Sequence, residues 1–317
     1  MSSTCRSAVN RFAPLATLFL APTLFAAVLG CSGDSAKSVS PQAHLLEVEK
    51  WSRQRLERLE KEDGWLTLVG LAWLPEGLST FGPHSSNNIV VPIESSLLSL
   101  GRFERTGEVL LLHALAGAAL EADGATVRSI ELRSDEGGAP TIVRSGSVSF
   151  HLITRGERIG VRMRDFENQT RREFVGIERY PTQIEWRFDA RFEPAAEGTT
   201  MPVPNIIGEV FEEVSPGSVV FRHRASTHRL RTLEGSSGNL FLVFGDATNG
   251  KETYGGGRFL YTSPPDDDGN VVVDFNRSYN PPCVFTPWAT CPLPPLGNDL
   301  PFAVRAGELS YALEAAH

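Results

Sequence analysis

The sequence predicts a mainly β fold, an antiparallel β-sandwich or barrel-like unit preceded by one N-terminal amphipathic helix. Three observations carry that expectation. From Trp65 onward, short apolar or alternating runs recur at intervals of about ten residues between Gly, Pro, Asn and Asp, the spacing of strands joined by turns. No convincing helix lies between those runs, which argues against a parallel α/β sheet. Val161-Arg162-Met163-Arg164 and Glu185-Trp186-Arg187-Phe188 alternate apolar with charged, as half-buried strands do.

The elements follow in chain order. Residues 1–11 are polar, with Arg6 and Arg11 and no acid, and 12–29 are mostly apolar but broken by Pro14 and Pro22. A permanent span wants about 20 unbroken apolar residues, so 1–30 reads as a signal peptide. Val28-Leu29-Gly30-Cys31 resembles a lipobox, which predicts cleavage before Cys31 and lipid on that cysteine as the membrane anchor. Ser32, following it in place of Asp, favours the outer membrane of a host that has one. Residues 31–40 form a polar tether. Ser40-Pro41 suits a helix start, and Leu45, Val48, Trp51, Leu56 and Leu59 share one arc of a helical wheel, so a helix is expected over 41–62 with Asp63-Gly64 as its stop. The Arg53/Arg55/Arg58 cluster reads as its solvated face.

Predicted strands then include Trp65–Trp73, Val109–His113, Ser147–Ile153, Ile159–Met163, Ile184–Phe192 and Leu240–Phe244. Arg258–Thr262 and Asn270–Phe275, flanking Pro264-Pro265-Asp266-Asp267-Asp268-Gly269, read as a hairpin. Residues 41–317 are expected to form a single β-rich domain, with 136–140 or 194–200 as the seam if it divides into two lobes.

Net charge is −8, and only Lys37, Lys50, Lys61 and Lys251 are lysines. An acidic surface argues against nucleic-acid binding, which needs clustered cations. The sequence has no G-x-S-x-G, H-E-x-x-H, C-x-x-C, Walker or dinucleotide motif, and 264–275 does not fit a calcium loop, so neither a cofactor nor a metal is expected. The unusual stretch is 246–291. It gathers Tyr254, Arg258, Asp274, Asn276, Arg277, Tyr279 and Asn280 beside Gly255-Gly256-Gly257, a double proline and two cysteines. Arginine is a two-pronged donor to carboxylate or phosphate, and Asn and Tyr are neutral donors, so these seven are the candidate ligand-binding residues.

Asp63-Gly64-Trp65-Leu66, Gly70-Leu71 and Trp73-Leu74, with the helix bearing Trp51, resemble the start of the domain of unknown function 1684 family of uncharacterised prokaryotic proteins. Phe244 to Asp246, Thr248-Asn249-Gly250, Glu252 to Arg258, Asp274-Phe275-Asn276 and Tyr279 to Cys283 are similar to its late signature, as are Cys291 to Pro295, Asn298 and Ala306-Gly307-Glu308. The resemblance spans roughly 45–310 and implies a single unit over that range, without implying an activity.

Cys283 and Cys291 are the cysteines left in the mature chain. In an oxidising envelope they are expected to close a disulfide, worth on the order of 2–3 kcal/mol for so short a loop. The alternatives are a metal site completed by His223, His228, Asp274 or Glu308, and a Cys283 thiolate with His228 as its base. Asp246, Asp274 and Glu308 are the carboxylates that a glycosidase-like pair would draw on. The expectation is therefore a lipid-anchored envelope protein binding a small polar or anionic ligand through 246–291. The alternatives are a hydrolase in the same pocket and a structural envelope protein without one.

Overall fold

A computed structural model of the protein describes residues 39–311. The expected signal peptide, Cys31 and most of the tether lie outside the described residues. The helix, α1, spans Pro41–Leu59; Ser40 Oγ accepts the Ala43 N–H at 3.2 Å, and Pro41 occupies the first turn. It stops three residues short of the expected end, where the Glu60 N–H bonds Leu56 O. Its inner face is partly polar: His44 and Arg55 are buried beside Val48 and Leu59, so Arg55 is not part of a solvated face.

The chain to Asp165 builds a β-sandwich. One six-stranded sheet includes the neighbours Leu68–Trp73, Arg158–Asp165 and Val148–Arg155, in that order, and the facing five-stranded sheet centres on Gly77–Gly82, Gly101–Thr106 and Val109–Ala114. The strand pairings are antiparallel except a two-residue parallel contact of Phe81–Gly82 with Ile89–Val90, and Ser134 makes one further parallel bridge to Leu152. Phe81, Phe103 and Phe150 meet between the sheets at 4.6, 5.7 and 6.0 Å between ring centroids, the first pair tilted and the other two edge-on.

Residues 166–186 lead into a second six-stranded antiparallel sheet, ordered Arg258–Thr262, Leu240–Phe244, Ser226–Glu234, Gly217–His223, Arg187–Pro194, Asn270–Asp274. It curls around Phe221, Leu242, Phe244, Leu260 and Phe275 until its two outer strands approach one another, giving a half-barrel. A separate hairpin, Thr200–Pro204 with Val210–Val214, stands beside it. Residues 136–140 lie in the segment between Ser129–Glu131 and Val143–Ser145, and 194–200 join Arg187–Pro194 to Thr200–Pro204.

The expected hairpin across 264–269 is not formed. Arg258–Thr262 pairs with Leu240–Phe244 and, through Phe259, with Tyr279, while Asn270–Asp274 pairs with Arg187–Pro194. The Asp-rich turn is real, with the Gly269 N–H on Asp266 O at 2.8 Å, but it connects opposite edges of a curled sheet. Turn chemistry is local, whereas strand pairing depends on which edges the rest of the sheet leaves free.

Beneath this half lies a buried ion pair, Arg258 to Asp246 at 2.8 Å, with both side chains 0% exposed. Arg258 also donates to Val304 O at 2.8 Å and to Ala306 O, tying the last loop to the sheet. Gly257, just before it, has φ +85°, and a Cβ there would come within 2.7 Å of Phe244 O and 2.6 Å of Pro294 Cγ. Asp246→Ala is expected to cost about 3–5 kcal/mol in urea denaturation, because it strands a buried guanidinium.

Candidate functional site

The sheet strand Arg158–Asp165 sends Ile159, Val161 and Met163 into the sandwich core, which turns Arg158, Arg162 and Arg164 to its other face. Arg155, on the neighbouring strand, joins them through its pairing with Arg158. That face is covered by the second half of the chain, and three of the four arginines find partners there or along the chain. Arg155 grips Asp135 with both prongs at 2.9 and 3.1 Å. Arg158 pairs with Glu209 at 2.7 Å in the turn of the 200–214 hairpin and lies 3.9 Å over the Trp73 ring. Arg164 donates to Gly64 O and to Thr67 Oγ1.

Arg162 is different. It is 5% exposed, and among the described residues it makes no hydrogen bond or ion pair; its Nε is a buried donor without an acceptor. The Trp65 ring lies 5.5 Å away, and the charge of Asp135 acts favourably on the guanidinium without a direct contact. Burial, and after it the positive neighbours Arg155 and Arg164, push its pKa down to about 10, so it remains charged at neutral pH. Burial together with Arg164 and Arg162 holds nearby His151 at about 4, and that ring is neutral.

Arg162 lines a cavity of about 660 Å³ whose wall is apolar at Val203, Phe211, Leu233, Phe241, Phe259 and Cys291 and also carries Arg155, Asn205 and the exposed Glu213 and Glu234. Trp65, Phe241, Phe259 and Pro282 also line a second cavity of about 820 Å³, so the two are adjoining chambers of one cleft. The second is a basic, aromatic vestibule. Helix α1 contributes Trp51, Arg55 and Arg58, the stretch after it Lys61, and the second half Tyr261, Arg277 and Tyr279. Phe241, Tyr261 and Tyr279 form a stack, with centroids 4.6 and 6.4 Å apart and planes within 21° and 13°. The Arg55 guanidinium lies 4.7 Å over Tyr279.

Of the seven residues expected to bind ligand, Arg277 and Tyr279 line the vestibule. The structure gives the others internal partners. Arg258 is locked to Asp246. Asp274 accepts from His44 at 2.9 Å and from the Asn276 N–H at 3.1 Å. Asn276 bonds the Gln183 backbone. Asn280 donates its N–H to Glu308 at 2.7 Å and its side chain to Leu309 O. Asp246, Asp274 and Glu308 are each engaged by a different cation or imidazole, Arg258, His44 and Arg55 respectively, and none lines either chamber. His228 packs in an aromatic cluster with Phe221, His223 and Phe302, so it is not placed as a base for Cys283. Among the described residues, no group of three His, Cys, Asp or Glu side chains is set to hold a metal.

Cys283 and Cys291 come together as two thiols and not as the expected disulfide. The Cys283 N–H donates to Cys291 Sγ at 3.1 Å, and Cys283 Sγ lies 3.5 Å from Tyr254 Oη. The hydrogen bond from the Cys291 thiol, opposed by burial and assisted by the Tyr254 hydroxyl, brings Cys283 down to about 7. The same contact and burial push Cys291 up. The half-barrel loop thus holds one partly exposed, readily ionised thiol backed by a buried protonated one, with Cys291 on the cavity wall.

Trp65 and Arg162 are the site residues that the sequence reading passed over. The available signal was the density of arginine at 155, 158, 162 and 164, every one on the same face once the strand turns at Gly156. In a strand with one wet face those charges are unremarkable; only a second layer over them makes them a site.

This is the architecture of a β-rich protein with a cleft lined by arginines and aromatic rings, and the comparisons with known proteins fall in line with the late signature. Residues 172–309 match the model of a family described as a protein of unknown function (DUF1684). The early motifs around Asp63-Gly64-Trp65-Leu66 lie outside that match. One solved structure that the chain is similar to is the solution NMR structure of an uncharacterized protein of Haloarcula marismortui. It is 28% identical, with 46% of this chain and 82% of that one covered and a TM-score of 0.38. No curated protein matches the chain.

Alkylation of Cys283 is expected to rise with pH around a midpoint near 7. Tyr254→Phe should move that midpoint upward, because the hydroxyl that favours the thiolate is lost. A wild-type midpoint at the ordinary thiol value of about 8.5 would contradict the assigned contacts.

Proposed function

We propose that the protein binds a small organic anion with an apolar body, and that Arg162 is the residue that receives its charge. The observation that carries this reading is the buried Arg162 side chain, its Nε without an acceptor among the described residues, on the wall of a chamber lined mainly by apolar side chains, whose acids Glu213 and Glu234 are exposed. A buried charge left unpaired is costly, by roughly 1–3 kcal/mol or more for a charged donor. A carboxylate or phosphate brought into the chamber removes that cost and gains a two-pronged, charge-assisted hydrogen bond in a water-poor setting. The apolar wall supplies the rest of the affinity and sets the preference for a ligand with hydrocarbon or aromatic surface. The thiol pair and the buried carboxylates fit this reading as scaffold and wall, since the carboxylates are spent on internal cations.

The protein is proposed to work in the cell envelope, held by lipid on Cys31 and displayed on the 31–40 tether, outside the inner membrane. The lipobox-like Val28-Leu29-Gly30-Cys31 supports this. Metabolic labelling with a radioactive fatty acid should mark the wild-type chain, and Cys31→Ser should lose the label and leave the membrane fraction. Label retained by Cys31→Ser would remove the anchor from this reading.

Medium-chain carboxylates are expected to raise the thermal midpoint of the wild-type protein. Arg162→Met should abolish that shift while raising the ligand-free stability by about 1–3 kcal/mol, because it replaces an unpaired buried charge with a side chain of similar length. An unchanged ligand shift in Arg162→Met would sink the assignment, whatever the variant's stability.

A further inference from the structure

We infer that the cleft takes an elongated dianion, with one charged end on Arg162, an apolar middle across the waist between the chambers, and a second charged end in the vestibule on Arg58 and Lys61. This inference rests on the reading of Arg162 as an anion receptor and extends it to a class of ligand.

The order of side chains along the cleft is the argument. At the inner chamber stands Arg162, buried and with its Nε unpaired; of the other charged groups that line it, Arg155 is spent on Asp135, and Glu213 and Glu234 are exposed. The residues common to both chambers are Trp65, Phe241, Phe259 and Pro282, all apolar or aromatic, so the boundary at which the two adjoin carries no charge. Beyond that waist the lining becomes cationic again, with Arg55, Arg58, Lys61 and Arg277 against the single acid Asp63. Two of these cations already have partners. Arg55 lies 3.4 Å from Glu308 and Arg277 lies 3.3 Å from Glu47. Arg58, in the last turn of α1, and Lys61, just beyond it, make no ion pair among the described residues and are exposed to the vestibule.

This local excess of positive charge stands against the chain's net −8, in a protein with only four lysines. A cation–apolar–cation sequence of walls is complementary to an anion–apolar–anion molecule. A single-headed acid would use Arg162 and the waist and leave the vestibule to water. The stacked Phe241, Tyr261 and Tyr279 rings extend the apolar surface from the waist toward the second set of cations, so the molecule's middle stays in contact along that route. Because Arg58 and Lys61 are solvated, their contribution should be the salt-sensitive part of binding, and that of Arg162 much less so.

The test is calorimetric titration of the full-length protein with straight-chain α,ω-dicarboxylates of graded length and with the monocarboxylates of the same length. The expected result is that, beyond a threshold length, the diacid binds about tenfold tighter than its monoacid at low salt, corresponding to ~1.4 kcal/mol. Diacids too short to cross the waist should show no such advantage. Raising the salt should erode it. Arg58→Gln with Lys61→Gln should remove the diacid advantage and leave monoacid affinity within about twofold, whereas Arg162→Gln should weaken both acids. Equal binding of diacid and monoacid at every length, or an advantage that survives the Arg58/Lys61 double variant, overturns the two-ended ligand and leaves the Arg162 reading standing. If the wild-type protein binds neither acid, both readings fall together.

Discussion

A charged strand face that must be removed from water organises this molecule. Arg155, Arg158, Arg162 and Arg164 project from the sandwich toward the second half of the chain, which buries Arg162 and half-buries the other three, and guanidinium groups partly withdrawn from water need acceptors. Each satisfied arginine therefore also fixes a piece of the covering layer. Asp135 clamps a turn of the sandwich itself, Glu209 brings the tip of the 200–214 hairpin down, and Gly64 O with Thr67 holds the turn that follows α1. Trp65 is thereby set beside the one arginine that the layer leaves unsatisfied. The cleft is what remains where the covering layer does not close.

The segment 246–291 acts on that cleft from behind. Its buried polar side chains bind the chain to itself: Arg258 to Asp246, Asp274 to His44, Asn280 to Glu308, and Glu308 in turn to Arg55. Burial raises the pKa of Glu308, and the facing cations Arg55 and Arg179 work against that rise. Through this network α1 is docked by polar contacts as well as by Val48 and Leu59, which explains why its inner face is less apolar than a helix packed on hydrophobic side chains alone. Docking α1 in one orientation is what points Arg58 into the vestibule.

The thiol pair connects the same segment to the inner chamber. Cys291 lies on the wall, its carbonyl accepts from the Ile206 N–H at 2.9 Å, and the Leu293 N–H reaches Pro204 O at 2.7 Å. The hairpin that closes one side of the chamber is therefore sewn to the loop that carries the cysteines. Tyr254 and Cys283 sit at the outer end of this arrangement, where a phenol and a second thiol take the place of the imidazole that nucleophilic chemistry would call for.

The sequence by itself determined the class of the fold, the place and start of α1, most of the strands tested against it, and the composition of the unusual C-terminal segment. Those features are written in local periodicity, capping and turn residues, which act over a few positions and need no knowledge of the rest of the chain. It also marked the late signature from Phe244 to Glu308, which falls within the matched residues 172–309. Tertiary structure alone decided which edges the strands at 258 and 270 would pair with, whether Arg258 and Asn280 would face a ligand or the core, and that Cys283 would meet Tyr254. It alone decided the status of Arg162 as well. An alternating strand reads identically whether its charged face meets water or a second layer of protein. The long-range covering of that face turns an ordinary arginine into a buried, unpaired charge, and that covering depends on contacts between residues more than forty positions apart, such as Arg158 with Glu209.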